Sequence, residues 1–341
     1  MAKQVSQQEF SKQTQKYTNV SSERLGGKVL NTSDEWFAAA DNLIKPNPPI
    51  VQVKFVSTGR WYDGWETRRH NPEPSDWVII KLGVSSANLI GCEVDTTFFS
   101  GNHAPAISVE GCFCPEEGVD LSQAKWEEVI PKIECGPSRQ HFFLRDELTS
   151  NSYSHVRLHM YPDGGIARFK MYGQPVPVFP SDKSQVIDLA SISNGGTCVA
   201  CSDEHFSSAD NLLLPGRGID MSDGWETARS RHPGHVDWAI IKLGAPTLID
   251  NVVVDTAFFF GNYPQSIKVE AIAHHEDTVD LATKDLQWHT VVPVTKTKAN
   301  EEHIYQENMG LLAVAEPVTH VKLTMIPDGG IKRLRVYGRR I

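Results

Sequence analysis

Two copies of one short string, rich in ionisable side chains, stand out in this chain of 341 residues. The first copy runs from Asp63 to His70 and the second from Asp223 to His232, and both begin with Asp-Gly-Trp-Glu-Thr. Each copy places carboxylates, an indole, arginine and histidine within one loop length. An arginine can hold a small carboxylate, and a glutamate or histidine can move protons on the bound molecule. The strings therefore predict a pocket for a small anionic substrate.

The candidate site residues fall into two groups. The candidate catalytic residues are the acid–base side chains of the two strings, which are Glu66, His70, Glu226 and His232. The candidate substrate-binding residues come from the same strings and from a repeated Phe-Phe-x-Gly-Asn motif, and they are Asp63, Trp65, Arg68, Arg69, Asn102, His103, Asp223, Trp225, Arg229, Arg231 and Asn262. An asparagine amide both donates and accepts, which suits a ureido group, although a Gly-Asn pair is equally typical of a turn.

The strings also have a purely structural interpretation. Asp63 would cap a turn, Trp65 would fill the end of a β-sandwich, and Glu66 would pair with a neighbouring arginine. Because the whole pentapeptide recurs and sandwich loops commonly carry function, we favour a functional role for at least one copy. Arg68 and His103 have an alanine and a tyrosine as counterparts in the second copy, which favours the first copy as the active one.

The turns that follow the strings in the chain carry further ionisable side chains. Asp163 and Asp328 lie in repeated Pro-Asp-Gly-Gly turns, where aspartate usually stabilises the turn. Arg168 and Arg333 follow shortly after each turn. These arginines would pair with the turn aspartates or reach a ligand.

The elements that must position these residues occur twice as well. Asp63 recurs at Asp223 and Ser33 recurs at Ser202, so the offset is 160 to 169 residues. This period is too long for a solenoid and suits a whole domain. We therefore predict a polar leader of unclear order, a first module, a Pro-rich linker and a second module, at 1–21, 22–173, 174–181 and 182–341.

Hydrophobic periodicity indicates strands. Val156, Leu158 and Met160 alternate with polar residues, as in a strand with one buried face. The run 166–172 alternates again after the Gly-rich turn, so these two runs predict a hairpin. Many short strands with turn signals between them favour an all-β fold, with two tandem β-sandwich modules of the jelly-roll kind.

Composition excludes several classes of partner. The formal net charge of −9 argues against a nucleic acid. No apolar run approaches the roughly 18 residues of a membrane span, and the N-terminus lacks the apolar core of a signal peptide, so we expect a cytoplasmic protein without a membrane partner. Cys198 and Cys201 have half the spacing of a zinc site, but no second half follows. We therefore predict no metal-binding residues and no cofactor. The sequence neither supports nor excludes a divalent metal, and it leaves open whether the protein forms a homo-oligomer.

Together, the motifs resemble those of the allantoicase family. Each module carries Asp-Gly-Trp-Glu-Thr, Asp-Trp-x-Ile-Ile-Lys-Leu-Gly, Phe-Phe-x-Gly-Asn and Pro-Asp-Gly-Gly-Ile, and the resemblance extends from about Leu25 to Tyr337. It implies two jelly-roll modules similar to galactose-binding-like domains. It also implies the hydrolysis of allantoate to (S)-ureidoglycolate and urea, in allantoin and purine degradation for nitrogen use.

The residues of both strings suit that reaction. Allantoate needs a cation for its carboxylate, an acid for the departing nitrogen, a base for water and amide partners for its ureido groups. Two rival functions stay open from the sequence. One is a non-catalytic tandem ligand-binding protein, since a fold alone does not fix a function. The other is a metal-dependent amidohydrolase.

Overall fold

The computed structural model describes residues 2–115, 118, 120–274, 281 and 286–341. The chain divides into two compact units, Met1–Pro177 and Val178–Ile341. Both units consist mainly of β-strands, which confirms the all-β prediction. No helix within the described residues has the length and apolar character that a membrane span requires. All six cysteines are free thiols.

The first unit contains one short α-helix, α1, at Gln7–Thr14. Its strands, in chain order, are β1 Lys3–Val5, β2 Thr18–Asn19, β3 Lys28–Thr32, β4 Phe55–Val56, β5 Gly59–Arg60, β6 Trp65–Glu66, β7 Asp76–Lys81, β8 Ala87–Asp95, β9 Ala106–Cys112, β10 Glu127–Glu134, β11 Gln140–Leu144, β12 His155–Tyr161, β13 Gly165–Ile166 and β14 Arg168–Pro175. Short 3-10 helices lie at Glu23–Leu25, Ala40–Ile44 and Leu121–Gln123.

Two five-stranded sheets make up the sandwich of the first unit. One has the order β1-β11-β8-β14-β2 and the other the order β10-β9-β12-β7-β3. The alternation predicted for β12 is confirmed, because Val156, Leu158 and Met160 are fully buried while Arg157 and His159 are partly exposed. Burying one face of each strand supplies the main favourable free energy of such a fold.

The predicted hairpin across the Pro-Asp-Gly-Gly turn is wrong. β12 pairs with β7 and β9 in one sheet, whereas β14 pairs with β8 and β2 in the other. Between them, β13 pairs with β6. The turn therefore carries the chain from one sheet to the other. An alternating pattern reports a buried face and does not identify the partner strand, so two strands of different sheets can look like the arms of one hairpin.

The leader predicted at 1–21 is part of the first sandwich in the structure. β1 pairs with β11, and β2 pairs with β14. Phe10 of α1 is 2% exposed and lies against Phe142 and Tyr172, with ring centroids 5.3 Å apart in both contacts. One apolar anchor in a Gln-rich segment gives too weak a periodicity to predict this packing. At the other end of the unit, β14 continues into the segment 174–181 that we predicted as a linker.

The second unit repeats much of this arrangement. Its strands are β15 Ile187–Asp188, β16 Thr197–Cys201, β17 Trp225–Glu226, β18 Asp237–Asp255, β19 Ser266–Ile272, β20 His289–Lys296, β21 Glu302–Gln306, β22 Val318–Ile326, β23 Gly330–Ile331 and β24 Arg333–Arg340. Short 3-10 helices lie at Ile192–Asn194, Ala209–Leu213 and Met221–Asp223. The 19-residue β18 replaces the separate β7 and β8 of the first unit. Its first half pairs with β16 and β22, and its second half pairs with β21 and β24.

A shared packing contact joins the repeated motifs in each unit. A Cβ atom added to Gly165 would overlap the ring of Phe99, and one added to Gly330 would overlap the ring of Phe259. Both phenylalanines are buried. The second glycine of each Pro-Asp-Gly-Gly turn is thus required by the phenylalanine of the Phe-Phe-x-Gly-Asn motif. This contact positions the Gly-Asn turn close to the strings that carry the candidate site.

Candidate functional site

The aspartates that begin the two strings form buried ion pairs. Asp63 accepts a hydrogen bond of 2.7 Å from Arg168, and the two side chains are 8% and 4% exposed. Asp223 accepts one of 2.7 Å from Arg333 and also contacts the fully buried ammonium group of Lys332. These arginines therefore pair with the string aspartates. We predicted that Asp63 and Asp223 bind substrate, and these buried ion pairs favour a structural role instead.

The two tryptophans of the strings are buried as well. Trp65 and Trp225 have no exposed surface. Each indole donates a hydrogen bond of 2.8 Å to a backbone carbonyl oxygen, that of Asp34 in the first unit and that of Asp203 in the second. A buried indole whose N–H is satisfied has nothing to offer a ligand. The substrate-binding role that we predicted for these tryptophans is not supported by this placement.

In the first unit, carboxylates already hold the basic side chains of the string. The guanidinium of Arg68 lies 2.9 Å from Asp34, and that of Arg69 lies 2.8 Å from Asp163. The backbone N–H of His70, which has a φ of 62°, donates to the other oxygen of Asp163 at 2.9 Å. A cavity of about 350 Å³ beside them is therefore lined by arginines whose charges are already compensated.

Glu66 lies at a separate cavity of the same unit. It accepts a hydrogen bond of 2.7 Å from the Asn102 amide and is 8% exposed. Burial raises the pKa of Glu66, while the Asn102 hydrogen bond and the charge of Arg69 act in the opposite direction. The β4–β5 hairpin bounds this cavity of about 390 Å³ through Gly59 and Arg60, and Tyr62 also lines it.

That hairpin is an insertion of the first copy. Leu43 precedes Asp63 by 20 positions, whereas Leu212 precedes Asp223 by 11. Tyr62, which follows the hairpin, stacks on Phe99 with the ring centroids 4.9 Å apart. The second copy has no equivalent segment, so its glutamate is not bounded in this way.

In the second unit, the matching glutamate faces a cleft of about 880 Å³. Glu226 accepts a hydrogen bond of 2.5 Å from the Asn262 amide, and both side chains are partly exposed. The polar side chains around the cleft come from the string, the Gly-Asn turn, the end of β20 and the Pro-Asp-Gly-Gly turn, and they include Glu226, Arg229, Asn262, Tyr263, Lys296 and Asp328. The structure therefore brings three of the predicted second-copy residues, Glu226, Arg229 and Asn262, into one site.

Arg229 differs from its first-copy counterpart, Arg69, in having no acidic partner. The second string is two residues longer, and the backbone N–H of Ser230 donates to Asp328 at 2.8 Å, as His70 does to the aspartate of the first unit. Within the described part of the chain, the exposed guanidinium of Arg229 forms no ion pair. A cation on a cleft wall without a carboxylate partner is available to an anionic ligand.

The remaining predicted residues lie outside this cleft. Arg231 and His232 are exposed and do not line it. His103 lies against its own turn, with Nδ1 3.2 Å from the Ser100 carbonyl oxygen, whereas its counterpart Tyr263 does line the second-unit cleft. The features that led us to favour the first copy, Arg68 and His103, are therefore not gathered around Glu66.

Two charged residues of the cleft were not among the predicted site residues. Asp328 was interpreted as a turn stabiliser, and its bond to Ser230 agrees with that, but it also lines the cleft. Lys296 ends β20, where the two copies share no recognisable string. Only the pairing register of the strands shows which residues of the two copies are equivalent here, and this register cannot be read from a single sequence. Among the residues that the structure describes, no three His, Cys, Asp or Glu side chains are grouped as metal ligands.

Comparisons with known proteins agree with this duplicated architecture. The family model described as the allantoicase repeat matches residues 18–176 and 187–341. The chain is 53% identical over 321 residues to a probable allantoicase from Schizosaccharomyces pombe, covering 94% of this chain and 92% of that protein. It is 51% identical to the allantoicase of Saccharomyces cerevisiae, covering 95% and 94% of the two chains.

A solved structure extends the likeness to three dimensions. The crystal structure of the allantoicase from Saccharomyces cerevisiae matches with a TM-score of 0.81 at 47% sequence identity, covering 99% of this chain and all of that one. The resemblance seen in the motifs is thereby confirmed over nearly the whole length. This chain belongs to the allantoicase family.

Proposed function

We propose that this protein hydrolyses allantoate to (S)-ureidoglycolate and urea, and that the reaction takes place in the second-unit cleft. Matches over more than nine-tenths of the chain to proteins named allantoicase support the reaction. One observation carries the choice of site. The guanidinium of Arg229, which forms no ion pair with the described residues, and the Glu226–Asn262 pair line the same cleft of about 880 Å³.

Substrate binding begins with the carboxylate of allantoate. Arg229 offers a planar fork of N–H donors that matches a carboxylate, and no described side chain competes for it. The amide of Asn262 uses one N–H on Glu226 and keeps a carbonyl oxygen that can accept from a ureido N–H. The two residues would thus fix the two chemically different ends of the substrate.

The chemical step exchanges a C–N bond for a C–O bond. The bond between the central carbon and one ureido nitrogen breaks, that nitrogen gains a proton and leaves as urea, and the oxygen of water bonds to the carbon. Glu226 is the proposed proton carrier, since a carboxyl group can protonate the leaving nitrogen and then accept a proton from water. The 2.5 Å hydrogen bond from Asn262 fixes the orientation of this carboxyl group. Asp328, on the same cleft, is a second carboxylate that can accept the proton of water.

The first unit is assigned a supporting role in this proposal. Its Arg68 and Arg69 are bound by carboxylates, and its Glu66 is 8% exposed. A cytoplasmic location, without membrane or nucleic-acid partners, stays an expectation from the sequence.

The proposal is tested by urea release from allantoate, with Arg229→Gln as the variant and Arg231→Gln as the matched control. Arg231 is an exposed arginine two positions further on, outside the cleft. Losing a charge-assisted hydrogen bond costs about 1.5–3 kcal/mol, so we expect the KM of Arg229→Gln to rise roughly 10- to 100-fold. The control variant should keep the wild-type KM.

Two results would overturn the proposal. Calorimetric binding of allantoate without any urea release would identify a tandem binding protein. Equal kinetics for the Arg229→Gln and Arg231→Gln variants would mean that the second-unit cleft is not the site.

A further inference from the structure

Lys296 is a second cation on the wall of the second-unit cleft. It is the last residue of β20, its side chain is exposed, and it lines the cleft together with Arg229. It forms no ion pair with any residue that the structure describes. By contrast, Lys298, two positions further on, lies 3.2 Å from Glu301 and is outside the cleft lining.

Strand register identifies the first-unit counterpart of Lys296. In the second unit Lys296 is paired with Ser266, the first residue of β19. In the first unit Glu134 is paired with Ala106, the first residue of β9. Ser266 and Ala106 each lie four positions after the asparagine of the Phe-Phe-x-Gly-Asn motif. The charge at this position is therefore reversed between the two copies.

The flanking positions confirm the equivalence and differ in chemistry too. The N–H of Thr297 donates to the carbonyl of Gln265 at 3.1 Å, and the N–H of Cys135 donates to the carbonyl of Pro105 at 2.8 Å. The backbone arrangement is thus the same in both units. The polar Gln265 and Thr297 of the cleft wall are replaced by a proline and a cysteine in the first unit.

We propose that Lys296 binds the substrate carboxylate together with Arg229, and that this pair of cations determines which copy of the repeat binds the anion. The inference rests on the proposed function and adds a substrate-binding residue to it. Two cations that converge on one cleft attract a carboxylate more strongly than one does. Glu134 would repel the same group in the first unit, where Arg69 is already compensated by Asp163.

The experiment measures urea release by the full-length protein carrying Lys296→Gln, Lys296→Arg or Lys298→Gln. Lys296→Gln should raise the KM for allantoate roughly 10-fold with little change in kcat, because an ion pair to the carboxylate contributes to binding throughout the reaction. Lys296→Arg, which keeps the charge, should stay within about threefold of the wild-type KM. Lys298→Gln is the matched control and should behave as wild type.

A neutral ligand separates charge recognition from a structural role. The carboxamide analogue of allantoate is tested as a competitive inhibitor. Its inhibition constants for the wild type and for the Lys296→Gln variant should lie within about twofold of each other, because it lacks the negative charge that Lys296 would bind. An equal loss for allantoate and for the analogue would overturn the inference. A KM for Lys296→Gln that matches the Lys298→Gln control would also overturn it.

The failure of this inference differs from the failure of the proposed function. If Lys296→Gln is unchanged while Arg229→Gln loses affinity, the cleft remains the site and Lys296 has no part in it. If the wild type releases no urea, or if Arg229→Gln is also unchanged, the proposed function or its site is wrong.

Discussion

Asp223→Asn tests whether the aspartates of the repeated strings are structural. Asp223 contacts Lys332 and Arg333, whose side chains are 0% and 2% exposed, and is itself 8% exposed. Neutralising this carboxylate removes a negative charge that contacts two buried cations. Breaking a buried ion pair by removing one partner costs about 3–5 kcal/mol, and a domain typically has only about 5–15 kcal/mol in total. We expect the free energy of unfolding of the second unit to fall by about 3–5 kcal/mol.

The assay is urea-induced unfolding followed by circular dichroism, with KM for allantoate measured on the folded variant. Asp63→Asn is the internal comparison. Asp63 pairs with Arg168, but the residue before that arginine is Ala167, whereas the second unit has Lys332 at the matching position. Asp63→Asn should be destabilising by less than Asp223→Asn. A normal midpoint of unfolding combined with a strongly raised KM for Asp223→Asn would refute the structural assignment and return this residue to the binding site.

Three further predictions concern the first unit. Burial, followed by the charge of Lys81, lowers the pKa of His155 to about 4. The neutral imidazole therefore adds to the free energy of unfolding in full above the ordinary histidine pKa of 6.5, and this contribution is lost as the pH falls through about 4. Between pH 7 and pH 4 the free energy of unfolding of the wild type should therefore fall by up to about 3 kcal/mol more than that of His155→Gln, as measured by denaturant titration. Equal pH profiles for the two proteins would contradict this. The raised pKa of Glu66 makes stability depend on pH in the opposite direction. The contribution of Glu66 to the free energy of unfolding is fully present below the ordinary glutamate pKa of 4.5 and is lost as the pH rises through the folded-state pKa. Glu66→Gln should accordingly stabilise the protein at pH 7 and lose that advantage near pH 4 in the same titrations, and a destabilised variant at pH 7 would count against the assigned burial effect. Gly165→Ala should destabilise by about 1–3 kcal/mol in urea unfolding because its methyl group overlaps Phe99, whereas Gly101→Ala, which meets nothing within 4 Å, should cost less.

The features that were predictable from the sequence are those that local patterns encode. The alternation around Val156 and Leu158 indicates a buried face, and both residues are buried. The repeated strings identified the duplication and the family. The same patterns did not predict features that depend on a partner distant in the sequence, such as strand pairing and the packing of the N-terminal helix. The β12 and β14 strands join different sheets, and α1 packs through the single residue Phe10, so neither feature leaves a local signal.

The candidate site shows the same division. Glu226, Arg229 and Asn262 were predicted from residue type and spacing, and the structure groups them on one cleft. The difference between the two copies was not predictable. In both copies a backbone N–H donates to the turn aspartate, but Arg69 also pairs with Asp163 across 94 positions of sequence, whereas Arg229 forms no ion pair among the residues that the structure describes. Which arginine is paired depends on its position relative to a remote turn, and residue type does not encode that position.

The central claim is that hydrolysis takes place in the second-unit cleft, with Glu226 as the proton carrier. The most direct test compares kcat for urea release from allantoate by Glu226→Gln and by Glu66→Gln, two substitutions at the same position of the repeat. General acid–base catalysis contributes roughly 10²–10⁴-fold, so Glu226→Gln should lower kcat by about 10²-fold or more. Glu66→Gln should keep kcat close to that of the wild type. A large loss in Glu66→Gln together with near-normal turnover by Glu226→Gln would contradict the assignment and place the reaction in the first unit.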